Sequence, residues 1–478
     1  MISLITDPSL VYPDASAYFS PDEAFPEYAF EHLSSTENPV YRAVRRCFSQ
    51  AGLDKDHFGQ PGWNPLGDFI APGSRVFILC NFANERRHNE RLIDFQSRCT
   101  HGSVLRPIID YVLLAVGKTG SVSFGNAPTQ FADWSAVQND TGANAVHEFY
   151  ESRGIPVTAR DLRLFVTVQT VLGAIRQVER RDESDGVAVR LDSDSLFSEL
   201  DRQSAQRYRI MNYNPKRTDR FHCQGSHTYI VNRHILEADV ILSVPKFKTH
   251  EKVGISSALK GFVGTVGHKD SLPHHRYGPP EKGGDEYPDD KTHLLGALSA
   301  LHERVQQTKP DSWVGSAGRV TYRVTRRILR DITPGLDGAW WGNDTAWRMV
   351  LDLVRIGFYA NAAGEMQNTP QRRHLAFIDG VLGGEGEGPA YPTALHSGLL
   401  MFGDNLAAVD WVNALMMGFD PERIPLIREA FCISKYPLAM REQLEELITY
   451  NGDSITLTEL GAIEKHHFEP PPGWRGKL

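Results

Sequence analysis

The stretch from Asp239 to His268 decides the fold: D-V-I-L-S-V-P-K-F-K-T-H-E-K-V-G-I-S-S-A-L-K-G-F-V-G-T-V-G-H. Its apolar start, Val240 to Val244, is typical of a buried parallel strand, and Pro245 ends that strand because proline has no N–H to donate to a central ladder. Cations follow at the carboxyl end of the strand, which is where open α/β sheets bind their ligands. The sequence therefore predicts an α/β fold with a ligand site at this strand end.

Basic side chains with a period of two follow the predicted strand, at Lys246, Lys248 and His250. Since alternate residues of an extended chain point to the same side, these three are expected to share one face. Lys260 comes next, in a glycine-rich segment where backbone N–H groups can approach a ligand closely. The pattern is typical of phosphate or carboxylate recognition, and a solvated basic loop is the alternative.

The composition is that of an ordinary globular protein. The chain has 478 residues, of which 41% are hydrophobic and 23% are charged, so it can form two or three lobes. The net charge of −8 provides no electrostatic footprint for nucleic acid. No apolar run reaches the roughly 18 residues that a membrane span needs, and the N-terminus lacks a signal-peptide pattern. We therefore expect a cytoplasmic protein with no nucleic-acid or membrane partner.

Several common site patterns are absent from the sequence. The five cysteines are dispersed and form no C-x-x-C pair, so we expect reduced thiols, no iron–sulfur cluster and no structural zinc site. The chain also lacks G-x-S-x-G, a P-loop, and G-x-G-x-x-G after its first strand. These absences exclude the commonest hydrolase, kinase and dehydrogenase classes and predict no NAD.

The predicted organisation is an α/β domain with a segment on either side. Near the start of the domain a strand, an amphipathic helix and a second strand follow one another, which implies a parallel crossover. We predict mostly parallel sheet with helices on both faces and two lobes around a cleft. The expected ranges are an N-terminal cap at 1–72, the α/β domain at 73–430 with inserts at about 160–225 and 270–370, and a helical C-terminal tail at 431–478.

Carboxylates at strand ends form a second candidate site. Asp379 ends the strand L-A-F-I-D, Glu385 lies in the glycine-rich loop after it, Asp404 ends another strand, and Asp410 lies in the helix that follows. A hard cation needs several oxygen ligands from separate elements, so we predict that these four hold a divalent metal ion. The alternative is that Asp404 and Asp410 only cap a turn and a helix.

Further cationic side chains are candidates for substrate binding. The segment from 271 to 292 is long, loop-like and rich in proline, which is typical of a functional or a disordered loop. It contains His274, His275 and Arg276, and a later helix contains Arg348. We predict that these four, together with Lys246, contact the substrate.

In their order along the chain, these motifs resemble the uncharacterised family called domain of unknown function 362. The family motifs include a D-x-I-x-x-x-P-x-x-K-T-H strand, a following L-K-N-x-x-G and a D-G-x-x-G-x-E-G-x-G-P loop. The resemblance covers about residues 73–430 and implies an α/β fold and a set of site positions, with no settled reaction. The matching residues are Asn81; Thr100 and His101; Asp239, Pro245, Lys248, Thr249 and His250; Leu259, Lys260 and Gly264; Asp379, Gly380, Glu385, Gly386, Gly388 and Pro389; and Asp404, Ala407 and Asp410.

The resemblance adds Asn81 and His101 to the predicted substrate site. The chain departs from the family pattern where Leu79 and Cys80 replace a K-P pair and where Gly261 replaces the Asn of L-K-N. Some members carry ferredoxin-like cysteine clusters. This chain has none, so the resemblance does not imply electron transfer through a cluster.

Three functions are compatible with these residues. The leading hypothesis is an enzyme in which Lys248 and Lys260 neutralise a small phosphorylated or carboxylated substrate, His250 transfers a proton and the acidic set holds a divalent metal ion. The second is a metal-independent racemase, epimerase or lyase that uses Lys and His as acid and base. The third is a non-catalytic protein that binds a small molecule or a sugar. A homo-oligomer is compatible with all three.

Overall fold

A central sheet of mostly parallel strands organises the molecule. The computed structural model describes residues 1–169, 175–179, 185–201, 207–210, 215–289, 294–308, 317–318, 320–321, 324–325 and 335–478. The strands are β1 (Ile2–Thr6), β2 (Arg75–Cys80), β3 (Ser121–Asn126), β4 (Val157–Asp161), β5 (Phe165–Gln169), β6 (Ile175–Glu179), β7 (Gly186–Arg190), β8 (Tyr208–Arg209), β9 (His222–Cys223), β10 (Ser226–Asn232), β11 (Val240–Val244), β12 (Lys246–His250), β13 (Gly254–Ser256), β14 (His275–Arg276), β15 (Arg373–Glu387), β16 (Tyr391–Gly403), β17 (Ile448–Tyr450) and β18 (Asp453–Ile455).

The helices pack around this sheet. They are α1 (Pro39–Gln50), α2 (Leu92–Gln96), α3 (Gly102–Val116), α4 (Trp134–Thr141), α5 (Ala143–Glu151), α6 (Pro215–Thr218), α7 (Arg233–Leu236), α8 (Ala258–Gly261), α9 (Leu294–Gln307), α10 (Ala346–Tyr359), α11 (Leu406–Met416), α12 (Pro425–Ala430) and α13 (Leu457–Ala462). Among the described residues, no helix is both long and apolar enough to cross a bilayer.

The strand order confirms the predicted α/β class. Along the sheet the order is β18-β17-β1-β16-β15-β11-β2-β3-β4. The five strands from β15 to β4 are parallel to one another, with Leu242 of β11 opposite Ile78 of β2 and Leu375 of β15. A continuous apolar run such as Val240 to Val244 is what a strand covered on both faces requires.

Helices cover both faces, because successive residues of each strand point to opposite sides. Ile241 packs into an apolar core with α10 and α11. Its neighbour Leu242 packs into a second core with α1, α3 and α5. The sheet thus separates two cores, as the sequence predicts.

The terminal segments join the sheet, which differs from the prediction of a cap and a helical tail. Strand β1 lies between β16, to which it is antiparallel, and β17, to which it is parallel. The tail contains the two strands β17 and β18 as well as the short helix α13. Ile448 of β17 lies opposite Ile2 of β1, so pairing at the sheet edge overrides the local helical pattern of the tail.

The strand that follows Pro245 is the element that forms the site. Strand β12 runs parallel to β15, with Lys246 opposite Asp379 and Lys248 opposite Gly384. It is antiparallel to β13. The chain therefore stays extended past the proline, as the period of two predicts.

Candidate functional site

The basic side chains of β12 are buried. Lys246, Lys248 and His250 are at most 4% exposed. A buried lysine must find hydrogen-bond partners, a counter-charge or a lower pKa. The alternative of a solvated basic loop does not apply to these three residues.

Lys246 is neutralised by Asp379. The Lys246 ammonium lies 3.1 Å from Asp379 Oδ1. The hydroxyl of Tyr12 donates to the same oxygen at 2.5 Å, and the backbone N–H of His101 donates to Oδ2 at 2.9 Å. Asp379, predicted as a metal ligand, is thus engaged by a cation and two donors, and Lys246, predicted to bind substrate, has its counter-charge inside the protein.

His101 has a structural position beside this pair. Its Nδ1 accepts the N–H of Ser103 at 3.2 Å and caps α3, and its ring stacks on Tyr12 with the centroids 3.9 Å apart. Burial lowers the pKa of His101 to about 3, so the imidazole is neutral. Nearby, the side-chain oxygen of Asn81 is buried and has no hydrogen-bond partner among the described residues.

Asp410 positions Lys260. Its carboxylate accepts the backbone N–H groups of Ala258 at 2.7 Å and of Leu259 at 3.1 Å, at the start of α8. Lys260 lies in this four-residue helix. The structure thus brings Asp410, a predicted metal ligand, to the helix that holds Lys260.

Several basic residues interact electrostatically with Lys260, and we call the set the lysine cluster: Lys248, Lys252, Lys260 and Lys269, with the neutral His250 and His274. Burial, together with the charge of Lys260, lowers the pKa of Lys248 and of Lys269 to about 7. Burial, with the charge of Lys252, lowers the pKa of Lys260 to about 8. The ammonium groups are therefore close enough to repel one another.

Neutral carbonyls accept hydrogen bonds from three of these lysines, and one of the three is Lys252, which donates to the carbonyl of Asp337. Lys248 donates to the carbonyl of Arg98, and Lys269 donates to that of Ala127 at 2.8 Å. Lys260 has no hydrogen-bond or ion-pair partner in the part of the chain that the structure describes.

The two histidines of the cluster have opposite hydrogen-bonding roles at Nε2. His250 Nδ1 accepts the N–H of Lys252 at 3.1 Å, which places the ring proton on Nε2. His274 Nδ1 lies 2.7 Å from the carbonyl of Leu272, so it donates and leaves Nε2 as an acceptor. Burial, together with the neighbouring lysines, holds the pKa of both rings far below the ordinary value, to about 3 for His274. The cluster therefore offers one neutral N–H donor and one neutral acceptor.

Both predicted arginines are already paired. The Arg276 guanidinium lies 3.3 Å from the Asp285 carboxylate, and Arg348 lies 2.7 Å from Glu199. Their charges are compensated within the protein. His275, the neighbour of His274, lies beside Glu286 and Asp337.

The structure does not bring the four predicted metal ligands together. Asp404 pairs with the amino group of Met1 at 2.9 Å, and Glu385 accepts the N–H of Glu469 at 2.8 Å. In the described part of the chain, the carboxylates of these two, Asp379 and Asp410 do not form a metal-sized group. The acidic set is distributed over separate places.

Sequence reasoning missed four residues around the site. Lys252 continues the period of two from Lys246 to His250, so extending the same pattern finds it. Lys269 and Tyr12 have no such local signal, because only the folded chain brings Lys269 near Lys260 and Tyr12 against Lys246. Asn126, at the end of β3, donates through Nδ2 to Phe82 and keeps a buried Oδ1 without a partner among the described residues.

Comparison with known proteins identifies the family over part of the chain. A search of curated proteins finds no match. A crystal structure of a protein from Thermotoga maritima, a structural-genomics target, is similar at 12% identity with a TM-score of 0.30. The match covers 78% of this chain and 55% of that chain, so this chain spans about half of its length.

The family model described as "Domain of unknown function (DUF362)" matches residues 195–414. That range contains Lys248, His250, Lys260 and Asp410, whereas Asn81 and His101 lie outside it. The match supports the resemblance to this family that the order of the motifs indicates.

Proposed function

We propose that the lysine cluster binds a small substrate through a phosphate or carboxylate group and transfers a proton on it, as an isomerase or lyase does. The observation that carries the proposal is Lys260, a partly buried residue whose pKa is lowered to about 8 by burial and whose ammonium has no protein partner in the described structure. The charge of Lys252 lowers its pKa, and its own charge lowers the pKa of Lys248 and Lys269 in turn. A ligand with negative charge removes this mutual repulsion.

Burial makes the binding of an anion favourable. Removing a cation from water costs several kcal/mol unless a counter-charge or hydrogen bonds replace the solvent. Neither Lys248 nor Lys260 has a neighbouring carboxylate that raises its pKa. An entering phosphate or carboxylate supplies the counter-charge and keeps the lysines protonated.

Proton transfer fits the pKa values of the same groups. A general base works best when its pKa is near the operating pH, and the pKa of Lys248 is about 7 and that of Lys260 about 8. In the proposed step a neutral lysine removes the proton next to the substrate carboxylate. The remaining ammonium groups and the His250 N–H then stabilise the enolate that forms. Return of the proton to either face completes an isomerisation, and loss of a β-substituent completes an elimination.

Binding is tested by calorimetry with inorganic phosphate and with small 2-hydroxy acids. We expect Lys260→Ala to weaken binding at least about tenfold, because a charge-assisted contact contributes about 1.5 to 3 kcal/mol. The exposed Lys118→Ala is the control and should bind as the wild type does. No binding to the wild type, or equal binding to both variants, contradicts the proposal.

Proton transfer is tested by incubation in deuterated water. Deuterium should appear next to the carboxylate of an accepted 2-hydroxy or 2-amino acid, and His250→Ala should reduce its rate with little loss of affinity. If ligands bind but none of them exchanges hydrogen for deuterium, the protein binds a small molecule without catalysing proton transfer.

A further inference from the structure

We propose that His275, Glu286 and Asp337 bind a divalent first-row transition-metal ion of the zinc class. One ligand atom from each side chain lies within 4.8 Å of the other two, and all three residues are buried. An imidazole with two carboxylates is a mixed nitrogen and oxygen set, which suits zinc and its neighbours better than calcium or magnesium. The site is distinct from the four carboxylates that the sequence suggested.

His275 provides the independent observation for this site. The residue is 3% exposed, and its Nδ1 has no hydrogen-bond partner among the described residues. A buried ring nitrogen without a partner costs free energy, so such atoms are rare in folded proteins. The charges of Lys252 and of Asp337 both act on the imidazole, and that of Asp337 favours a cation at this ring. A bound metal ion gives this nitrogen a partner.

The carboxylate of Glu286 is held in position by two donors. The Gly278 N–H donates to Oε2 at 3.0 Å, and the Ser299 hydroxyl donates to the same atom at 2.7 Å. Both bonds use one oxygen and leave Oε1 for a metal ion. Hydrogen bonds of this kind orient the ligands in established metal sites.

Gly338 lets the turn that carries Asp337 approach the histidine. A Cβ at this position would lie 2.8 Å from the Cβ of His275, closer than real side chains come. The Gly338 N–H also donates to the backbone carbonyl of Glu286 at 2.7 Å. The turn is therefore fixed against both of the other ligands. A second imidazole, His302, lies 3.5 Å from Asp337 Oδ1, next to this group.

The proposed metal site lies next to the lysine cluster. Lys252 donates to the backbone carbonyl of Asp337, and His274 directly precedes His275. Neighbouring residues of an extended segment point to opposite sides, so one histidine serves each site. The inference does not depend on the proposed function, because the metal alone is the probe.

Metal analysis of the full chain, purified without chelators, is the first test. We expect about one zinc, manganese, iron or cobalt ion per chain after loading, and visible d–d absorption with Co²⁺. His275→Ala and Glu286→Gln should each weaken the affinity for Co²⁺ by at least about tenfold. The control His374→Ala removes another buried imidazole whose Nδ1 has no partner in the described structure, and it should bind Co²⁺ normally.

Two further measurements keep the proposal testable if a ligand variant does not fold. Ser299→Ala keeps all three ligands but removes one hydrogen bond to Glu286, and it should weaken metal affinity by about 10- to 100-fold. X-ray absorption of the cobalt-loaded wild type should show an imidazole with oxygen ligands. The proposal is overturned if the wild type binds none of these ions or if the variants bind them as tightly as the wild type does. A cobalt coordination shell without imidazole would also overturn it.

Discussion

At the scale of single residues, burial determines what the charged side chains do. Lys246 and Asp379 are both 0% exposed and form an ion pair, whereas Arg441 and Glu422 form a surface pair with side chains about half exposed, 46% and 44%. Two charges in a dry interior stabilise each other but cannot be separated without a large cost. The same pairing on the surface contributes little, because water screens it.

Asp379→Asn should therefore destabilise the protein by about 3 to 5 kcal/mol, because it leaves the Lys246 charge without a counter-charge. Glu422→Gln, in the surface pair, should cost about 1 kcal/mol or less. Urea unfolding followed by fluorescence measures both values. Equal losses for the two variants would show that the buried pair is not what stabilises this part of the sheet.

The lysine cluster should make stability depend on pH. Burial lowers the pKa of Lys248, Lys260 and Lys269 to about 7, 8 and 7, from an ordinary value of 10.5. The unfolded chain therefore binds more protons than the folded chain between about pH 7 and 10.5. The free energy of unfolding should rise with pH across that window and stay flat just below it.

Urea unfolding at several pH values measures this rise. Lys260→Met should make it smaller, and Lys118→Met should leave it unchanged. Phosphate should bind less tightly as the pH increases through 7 to 8, because the lysines lose their charge. A stability profile that falls with pH in the wild type would contradict the pKa assignments.

At the scale of elements, the short helix α8 depends on a distant residue. Its first N–H groups find their acceptor in Asp410 of α11, whose pKa burial raises to about 7. A helix of four residues is too short to be stable by itself, so this cap fixes both the helix and Lys260. The link connects the core packing of α11 to the lysine cluster.

Asp410→Ala should cost about 1 to 3 kcal/mol, because two buried N–H groups lose their acceptor. It should also weaken phosphate binding, since Lys260 is no longer held in place. Asp420→Ala removes an exposed cap from a short turn and should leave phosphate binding unchanged. Chemical unfolding and calorimetry on the same samples measure both effects, and phosphate affinity equal to that of the wild type would remove the positioning role.

At the scale of the whole molecule, the C-terminal segment closes the side of the fold next to β12. Trp474 is 2% exposed, and its indole N–H donates to the carbonyl of Glu251 at 2.7 Å, just after β12 ends. Trp474→Ala should therefore destabilise the protein by about 3 to 5 kcal/mol. Trp341 is 47% exposed, and Trp341→Ala should cost about 1 kcal/mol or less. Thermal and urea unfolding measure the difference, and similar losses for both would mean that the tail is not part of the core.

The sequence by itself determined the α/β class, the strand from Val240 to Val244 and the basic face of β12. These features depend on local patterns, namely an apolar run, a proline and a period of two, and local patterns persist in any fold that contains them. The order of motifs also indicated the family whose model matches residues 195–414.

Only the tertiary structure decided which charges are paired. Asp379, predicted as a metal ligand, pairs with Lys246, and Asp410, also predicted as a metal ligand, caps α8. In both cases the two partners are more than 130 positions apart in sequence and meet only in the folded protein. The tail became two strands for the same reason, since the partner of β17 is β1 at the other end of the chain. Contacts between residues so far apart in sequence leave no local pattern. Only the folded structure shows which groups Asp379 and Asp410 contact, and that Lys260 has no partner among the described residues.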